Sequence, residues 1–281
     1  MISIKNLTFA FRKNQLLFDA LNLELQTGRI YGLFGLNGAG KTTLLNHISG
    51  MLFPKSGSCD ILGKASGKRD PDTLRELFVL PEQFDLPPIT AKSYVNIHAP
   101  FYPRFDSDIL NQALNVLLVE QDKNLNELSY GQRKKFLIAF ALATNARLLL
   151  MDEPTNGLDI PSKSQFRKIM AANDHTDRCV VISTHQVRDL EAMIDHLTVL
   201  NEGKIIFHQG IDTIADKLSF EKIADDDNRF VLYSEEIFGG KAAIVPKKPG
   251  TKETQIDLEL LFNGIIQKGD LINQQFQREQ I

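Results

Sequence analysis

Cysteine is scarce in this chain. Among 281 residues only Cys59 and Cys179 occur, far apart, which excludes a disulfide framework or a paired-cysteine metal spacing and points to a reducing compartment. An excess of positive charge is also missing. With a formal net charge of −3 and 24% charged residues, a nucleic-acid binder relying on bulk positive charge is excluded, and no nucleic-acid partner is expected. Long apolar runs are lacking too. The longest, residues 136–151, is broken by Asn145 and Arg147 and is too short to span a bilayer. The start, MISIKNLTF, carries no signal-type apolar stretch, and there is no internal repeat. These absences predict a soluble globular chain of one large domain or two modest ones, at about 150 residues each.

What is present is a series of short apolar runs of strand type, at residues 2–9, 21–25, 30–34, 59–62, 77–80, 148–151, 179–183, 196–200 and 205–207. Several are separated by segments of helical period. The first three are closely spaced, as in an antiparallel hairpin sheet. The later ones alternate with helices, and LLLM and CVVIS are apolar on both faces, as a buried parallel sheet requires. Residues 84–142 read as helical at 91–98, 106–120 and 131–144, with no strand, which predicts a helical subdomain inserted in an α/β core. Beyond Gly210 the pattern weakens to a charged DDDNR, strands at 230–233 and 242–245, a turn region PKKPGTKE and a helix around 256–266. The Gln-rich end, NQQFQREQ, is expected to fray.

GLNGAGKT, from Gly35 to Thr42, fits G-x-x-x-x-G-K-[ST], follows the strand run IYGLF and opens a helix through Leu44, Leu45 and Ile48. Glycines permit a turn that aims successive backbone N–H groups at a phosphate, Lys41 reaches the terminal phosphates, and the Thr42 hydroxyl suits Mg²⁺. The helix N-terminus adds partial positive charge. LLLMDEPTNGLD then places Asp152 and Glu153 just past a buried strand, at the sheet edge where ligands bind. Asp152 is the acidic partner of Thr42 for Mg²⁺, and Glu153, pointing to the other side, is suited to polarising an attacking water. His185 ends CVVISTH at the same edge; the five other histidines are scattered.

LSYGQRKK raises a separate question. Ser129 is a good helix N-cap, yet Arg133, Lys134 and Lys135 follow in the first turn, where cations are unfavourable by roughly 0.3–1 kcal/mol each. An anion facing this helix start resolves the conflict. A solvated face is the alternative for Lys134 and Lys135.

In order and in combination, these motifs resemble those of the nucleotide-binding domain of ATP-binding cassette (ABC) ATPases, over about residues 1–217. GLNGAGKT looks like Walker A, LSYGQ like the LSGGQ signature, LLLMDE like Walker B with its catalytic glutamate, NGLD like the D-loop and STH like the H-switch. The resemblance implies a P-loop NTPase core of mainly parallel sheet, an N-terminal antiparallel β-subdomain and the inserted helical subdomain at about 84–142; residues 218–281, beyond its reach, read as a small C-terminal α+β extension. It implies ATP and Mg²⁺ as cofactors. Nucleotide contacts fall to Gly35, Asn37, Gly38, Ala39, Gly40, Lys41, Thr42 and Thr43. Ser129, Gly131, Gln132 and Asp159 contact the nucleotide across a head-to-tail dimer. Glu153, His185 and Lys41 are catalytic.

Phe11 is the candidate adenine-stacking aromatic, where the family usually has tyrosine; a strand phenylalanine of the core is the alternative. Two departures stand out. Tyr130 replaces the usual glycine of the signature, so a side chain projects beside the phosphate site. In the Q-loop, VLPEQF leaves the register open between Glu82 and Gln83 as the residue nearest the metal, with Glu82 favoured.

The function so implied is an ATP-hydrolysing subunit powering an ABC transporter of bacterial exporter-like type. It would work as a homodimer or heterodimer with transmembrane permease subunits on other chains, peripheral on the cytoplasmic face of the cell membrane. The extension at 218–281 reads as a regulatory or dimer-contact module, or as a family-specific tail. A soluble translation-type ABC protein would carry two cassettes, and only one Walker A occurs. A DNA-repair ATPase would need coiled coils between Lys41 and Ser129, where no heptads are found. A low-turnover nucleotide switch acting on a non-membrane partner is the remaining alternative.

Overall fold

The computed structural model describes residues 1–12, 15–121, 123–173, 175–191, 193–224, 229–248 and 250–277. Three sheets organise them. Strands β1 (Ile2–Phe9), β2 (Phe18–Leu25), β4 (Ser56–Ile61) and β5 (Lys64–Ala65) form an antiparallel sheet in the order β2-β1-β4-β5. The central sheet has the order β10-β9-β3-β8-β7-β6 and uses β3 (Arg29–Phe34), β6 (Leu77–Leu80), β7 (Leu148–Asp152), β8 (Cys179–Thr184), β9 (His196–Asn201) and β10 (Lys204–Gly210). All its pairings are parallel except the β9–β10 hairpin. A third sheet, β11 (Leu218–Ile223), β13 (Gly240–Pro246) and β12 (Tyr233–Ile237), is antiparallel.

The helices are α1 (Lys41–Ile48), α2 (Pro71–Arg75), α3 (Ala91–His98), α4 (Ser107–Val116), α5 (Tyr130–Ala143), α6 (Ile160–Ala172), α7 (Ile211–Lys217) and α8 (Leu258–Gln277). Between β6 and β7 the described residues form only helices and loops, so the expected helical insertion is present there.

The core lies on both faces of the central sheet because its strands are apolar throughout. Along β7, Leu148 and Leu150 point into the layer shared with β1, β2 and α1, while Leu149 and Met151 point into the layer shared with α5 and α6. On β8, Cys179 and Val181 alternate with Val180 and Ile182 in the same way. This is the period of two that strand geometry imposes. Each such side chain contributes about 1.5–3 kcal/mol on burial.

Three local expectations are corrected. The third strand run, β3, does not join the N-terminal hairpin; it lies between β8 and β9 in the parallel sheet, because Tyr31 and Leu33 are buried on one face and Ile30 and Phe34 on the other. The strand expected at 230–233 begins only at Tyr233, and β11 lies in a stretch that the run pattern misses. Of DDDNR, residues 225–228 lie outside the described residues, as does Pro249 of the turn region. The Gln-rich end is helical through Gln277 rather than frayed, with residues 278–281 outside the described part. Buried Ile272, Phe276 against Phe207 and an Asn273 bond to the Ile206 carbonyl at 3.0 Å hold it to β10.

Candidate functional site: a phosphate-loop cleft

The C-terminal ends of β3, β7 and β8 lie side by side, and the loops leaving them build one cleft. After β3 the chain turns through Gly38 at φ 81° and Gly40 at φ 108°, a left-handed backbone that glycine adopts without strain. At Gly35 a Cβ would lie 2.4 Å from the Leu200 carbonyl oxygen, so no side chain fits there. Helices α2 to α6 all start with a side-chain cap, whereas α1 has none and no acidic residue in its first turn. Its unpaired N–H groups and dipole are therefore available to an anion.

Lys41 is buried, with Nζ donating to the Gly35 carbonyl at 2.8 Å and standing 3.5 Å from Glu153 Oε1. The Thr42 hydroxyl donates to Asp152 Oδ2 at 2.6 Å. The other Asp152 oxygen accepts from the Ser183 hydroxyl, so the carboxylate is held from both sides. Glu153 takes the left-handed conformation at φ 45°, uncommon outside glycine and worth attention at a site. This turns its side chain away from Asp152 to meet His185, whose Nδ1 lies 2.9 Å from Oε1. Its amide donates to the Ser183 carbonyl at 3.1 Å.

The cleft has a volume of about 730 Å³ and takes in Phe11, the phosphate loop through Thr43, Glu82, Glu153, Asn156 and His185. Phe11 is 68% exposed, which removes it from the core and leaves its ring on the cleft edge against Phe9. Glu82 lines the cleft and accepts from the Asn156 side-chain amide at 3.0 Å, whereas Gln83 is exposed and does not line it. Thr42 and Asp152 offer the hard oxygens Mg²⁺ favours. Among the described residues no cluster of three or more His, Cys, Asp or Glu gathers, so the site fits a Mg²⁺ shared with phosphate oxygens and not an all-protein cage.

The signature residues lie outside this cleft in their own chain. Ser129 caps α5, accepting from the Gln132 amide at 3.2 Å. The Gln132 side chain accepts from the Glu120 amide and donates to the Leu118 carbonyl, both at 3.2 Å. Gly131 is half-buried, and Asp159 caps α6 through the Ser162 amide at 2.9 Å; its bonds to Ser162 hold its carboxyl below the usual carboxylate range.

Two readings of this segment are overturned. Lys134 faces neither a polyanion nor solvent: it is fully buried, donating to the Glu153 carbonyl at 2.6 Å and the Asn156 carbonyl at 3.0 Å, and burial pushes its ammonium down to about 8. Tyr130 does not project toward a phosphate site. It folds back inside its own chain, stacking on Phe84 and donating its hydroxyl to the Glu82 carbonyl at 2.7 Å.

Sequence reasoning also missed Asn156 and Ser183. Both sit inside motif runs, NGLD and STH, but the motif letters alone do not show which neighbours turn inward. For Lys134 the only signal is its spacing of one helical turn from Tyr130.

A phosphate loop opening a helix, with an acidic pair on the next strand but one, defines this as a P-loop nucleotide-binding protein of the α/β class. Comparison with known proteins narrows the class. Residues 18–156 match the family model described as ABC transporter. The bacitracin transport ATP-binding protein BcrA of Bacillus licheniformis is 30% identical over 228 residues, covering 78% of this chain and 74% of that protein. The lantibiotic transport ATP-binding protein SrtF of Streptococcus pyogenes is 30% identical, covering 75% of this chain and 92% of its own. The structure of the dimeric cassette MJ0796 in a post-hydrolysis state with ADP and Pi superposes with a TM-score of 0.65 at 25% identity, over 75% of this chain and 99% of that one. The chain belongs to the ABC transporter family, as an ATP-binding subunit with ATPase activity.

Proposed function

We propose that this chain binds Mg²⁺-bound ATP in a head-to-tail dimer of cassettes, passes the closure that ATP drives to transmembrane permease subunits, and hydrolyses the ATP to release it. It would do so at the cytoplasmic face of the membrane. The observation that carries the reading is that Lys41, Thr42, Glu153 and His185, from three strand ends, line one cleft, with Asp152 bonded to Thr42. Bound between Thr42, Asp152 and the phosphates, Mg²⁺ would offset phosphate charge.

The protein's own groups do the remaining work. Lys41 and the loop amides hold phosphate, and Glu153 accepts the proton of an attacking water. His185, donating through Nδ1, holds the Glu153 carboxylate in place beside the terminal phosphate. Phe11 stacks on the base, and Glu82 is the Q-loop residue. Ser129, Gly131 and the start of α5 face the nucleotide of the neighbouring subunit, with Gln132 and Asp159 shaping the helix starts beside it.

Among the described residues no helix is long and apolar enough to cross a membrane, which fits a subunit that borrows its membrane passage from other chains. Relatives are named for bacitracin transport, for methionine import and for Nod factor export, so the direction and cargo lie with the permease. We assign residues 1–217 to the cassette and 218–281 to an extension that packs on it.

The test is ATPase activity of the wild type and of Glu153→Gln, with size-exclusion chromatography in Mg·ATP. Glu153→Gln is expected to lose hydrolysis and to elute as a trapped dimer; unchanged turnover would refute the role given to Glu153. A multispan protein co-purifying from membranes supports the transporter assignment, and ribosomes or DNA in its place would overturn it.

A further inference from the structure

The start of α5 grips the wall of the nucleotide cleft of its own chain through a closed ring of contacts. The Tyr130 hydroxyl donates to the Glu82 carbonyl at 2.7 Å, and the Glu82 carboxylate accepts from the Asn156 side chain at 3.0 Å. The Asn156 carbonyl accepts from Lys134 Nζ at 3.0 Å, and Nζ lies 5.6 Å from the centre of the Tyr130 ring. Lys134 also reaches the Glu153 carbonyl at 2.6 Å. Glu82, Glu153 and Asn156 all line the cleft, while Tyr130 and Lys134 do not.

Two features show that this ring is built rather than incidental. A buried ammonium is tolerated only where its donors are used, and the peptide it holds is the one that follows the left-handed Glu153. The Tyr130 ring is seated as well. Gly157 has φ 79°, and a Cβ there would lie 2.9 Å from Tyr130 Cε1, so the D-loop glycine makes room for the aromatic that replaces a signature glycine. Phe84 stacks on the same ring, with ring centres 5.4 Å apart.

We propose that Tyr130 and Lys134 are positioning residues acting in cis: through them the helix start that serves the neighbouring subunit's nucleotide also sets Glu153 and Glu82 in its own cleft. This rests on the head-to-tail reading above. A signature that served only its partner would need neither contact. With both, movement of α5 on closing over one nucleotide is carried directly to the catalytic turn of the other site.

The test uses mixed dimers of two differently tagged full-length copies, one carrying Glu153→Gln, so that a single competent site remains. That site draws its phosphate loop and Glu153 from the unmodified copy and its signature from the Glu153→Gln copy. Lys134→Met is placed first on the copy supplying Glu153 and then on the copy supplying the signature. In the first placement kcat is expected to fall about tenfold with KM for ATP within about twofold; in the second both should match the control.

Tyr130→Phe keeps the ring in its seat and removes only the hydroxyl. It is expected to show the same placement dependence with a smaller fall, about threefold, and it decides the matter if Lys134→Met does not fold. A loss that follows the copy supplying the signature, or that is equal in both placements, overturns the proposal. Failure to form any Mg·ATP-dependent dimer overturns the head-to-tail reading itself, and full turnover with Glu153→Gln on both copies refutes the role of Glu153; both outcomes are seen before either variant is added.

Discussion

Asp189 accepts the hydroxyl of Thr155 at 2.7 Å in a buried contact. The bond joins the loop just after Glu153 to the turn just after His185. Lys163 reinforces it from α6, with Nζ 2.7 Å from the same Asp189 oxygen and 2.6 Å from the Gln186 side chain. The Glu153–His185 pair is thus braced from behind by groups that touch no part of the cleft.

Replacing Asp189 by Ala leaves the Thr155 hydroxyl and the Lys163 ammonium without this acceptor. A cost of about 1–3 kcal/mol in unfolding free energy is expected. Turnover should fall more than nucleotide affinity, because the brace bears on Glu153 and His185 and not on the phosphate loop. Urea unfolding and steady-state kinetics on one preparation check both; a rise in KM with unchanged kcat would refute the brace.

His185→Ala removes the side chain that, among the described residues, lies within hydrogen-bonding reach of Glu153 Oε1 at 2.9 Å, leaving Lys41 at 3.5 Å. Turnover is expected to drop by roughly 100-fold or more, as for loss of a positioned acid–base partner. ATP binding, measured by equilibrium titration, should be nearly unchanged.

Phe11→Ala should weaken ATP binding by about 1–3 kcal/mol, the usual worth of a base-stacking ring. Phe11→Tyr should be close to neutral, since either ring offers a π face. Because Phe11 is 68% exposed, the Ala variant should keep the wild-type melting temperature, and a large thermal shift would return this ring to the core.

Phe262 of α8 meets Phe34 edge to face at 6.4 Å, and Phe34 is the last residue of β3, just before the phosphate loop. Phe262→Ala is expected to cost about 3–5 kcal/mol in a single unfolding transition that includes the nucleotide site. Two separate transitions, with the cassette's midpoint unchanged, would show instead that the extension is an independent unit.

Acid should destabilise the fold through His47. This side chain is fully buried between the Phe9 and Phe18 rings, Nδ1 lies 2.8 Å from the Thr43 carbonyl, and Nε2 has no partner among the described residues. A carbonyl accepts only, so Nδ1 carries the proton and Nε2 is bare. Burial lowers the pKa from the ordinary 6.5. The folded state then binds fewer protons than the unfolded state, so stability is full above pH 6.5 and declines as the pH falls below it. Replacing His47 by Gln should flatten that decline in pH-dependent urea unfolding.

The phosphate loop, the acidic pair and His185 were legible in the sequence because each is a run of adjacent residues at a strand end, where backbone geometry fixes the chemistry. The apolar runs of β7 and β8 likewise announced a parallel sheet. Phe11, Tyr130 and Lys134 were not legible in the same way. Whether Tyr130 points outward and Lys134 is buried depends on residues 82–84 and 153–157, distant in the chain, and the exposure of Phe11 is set by packing rather than by its motif letter. The hairpin assignment of β3 failed for the same reason: close spacing in sequence does not say which strand supplies the neighbouring hydrogen bonds.

The sequence by itself determined that this protein binds nucleotide, since glycines, a lysine and a hydroxyl at fixed offsets shape a phosphate site locally. It also determined the two-faced burial of the central strands. The tertiary structure decided how the pieces are coupled: that Tyr130 and Lys134 turn inward to Glu82, Glu153 and Asn156, and that Asp189 braces Thr155. Those contacts join residues 19 to 48 positions apart, and only packing, which buries a charge where carbonyls can receive it, selects them.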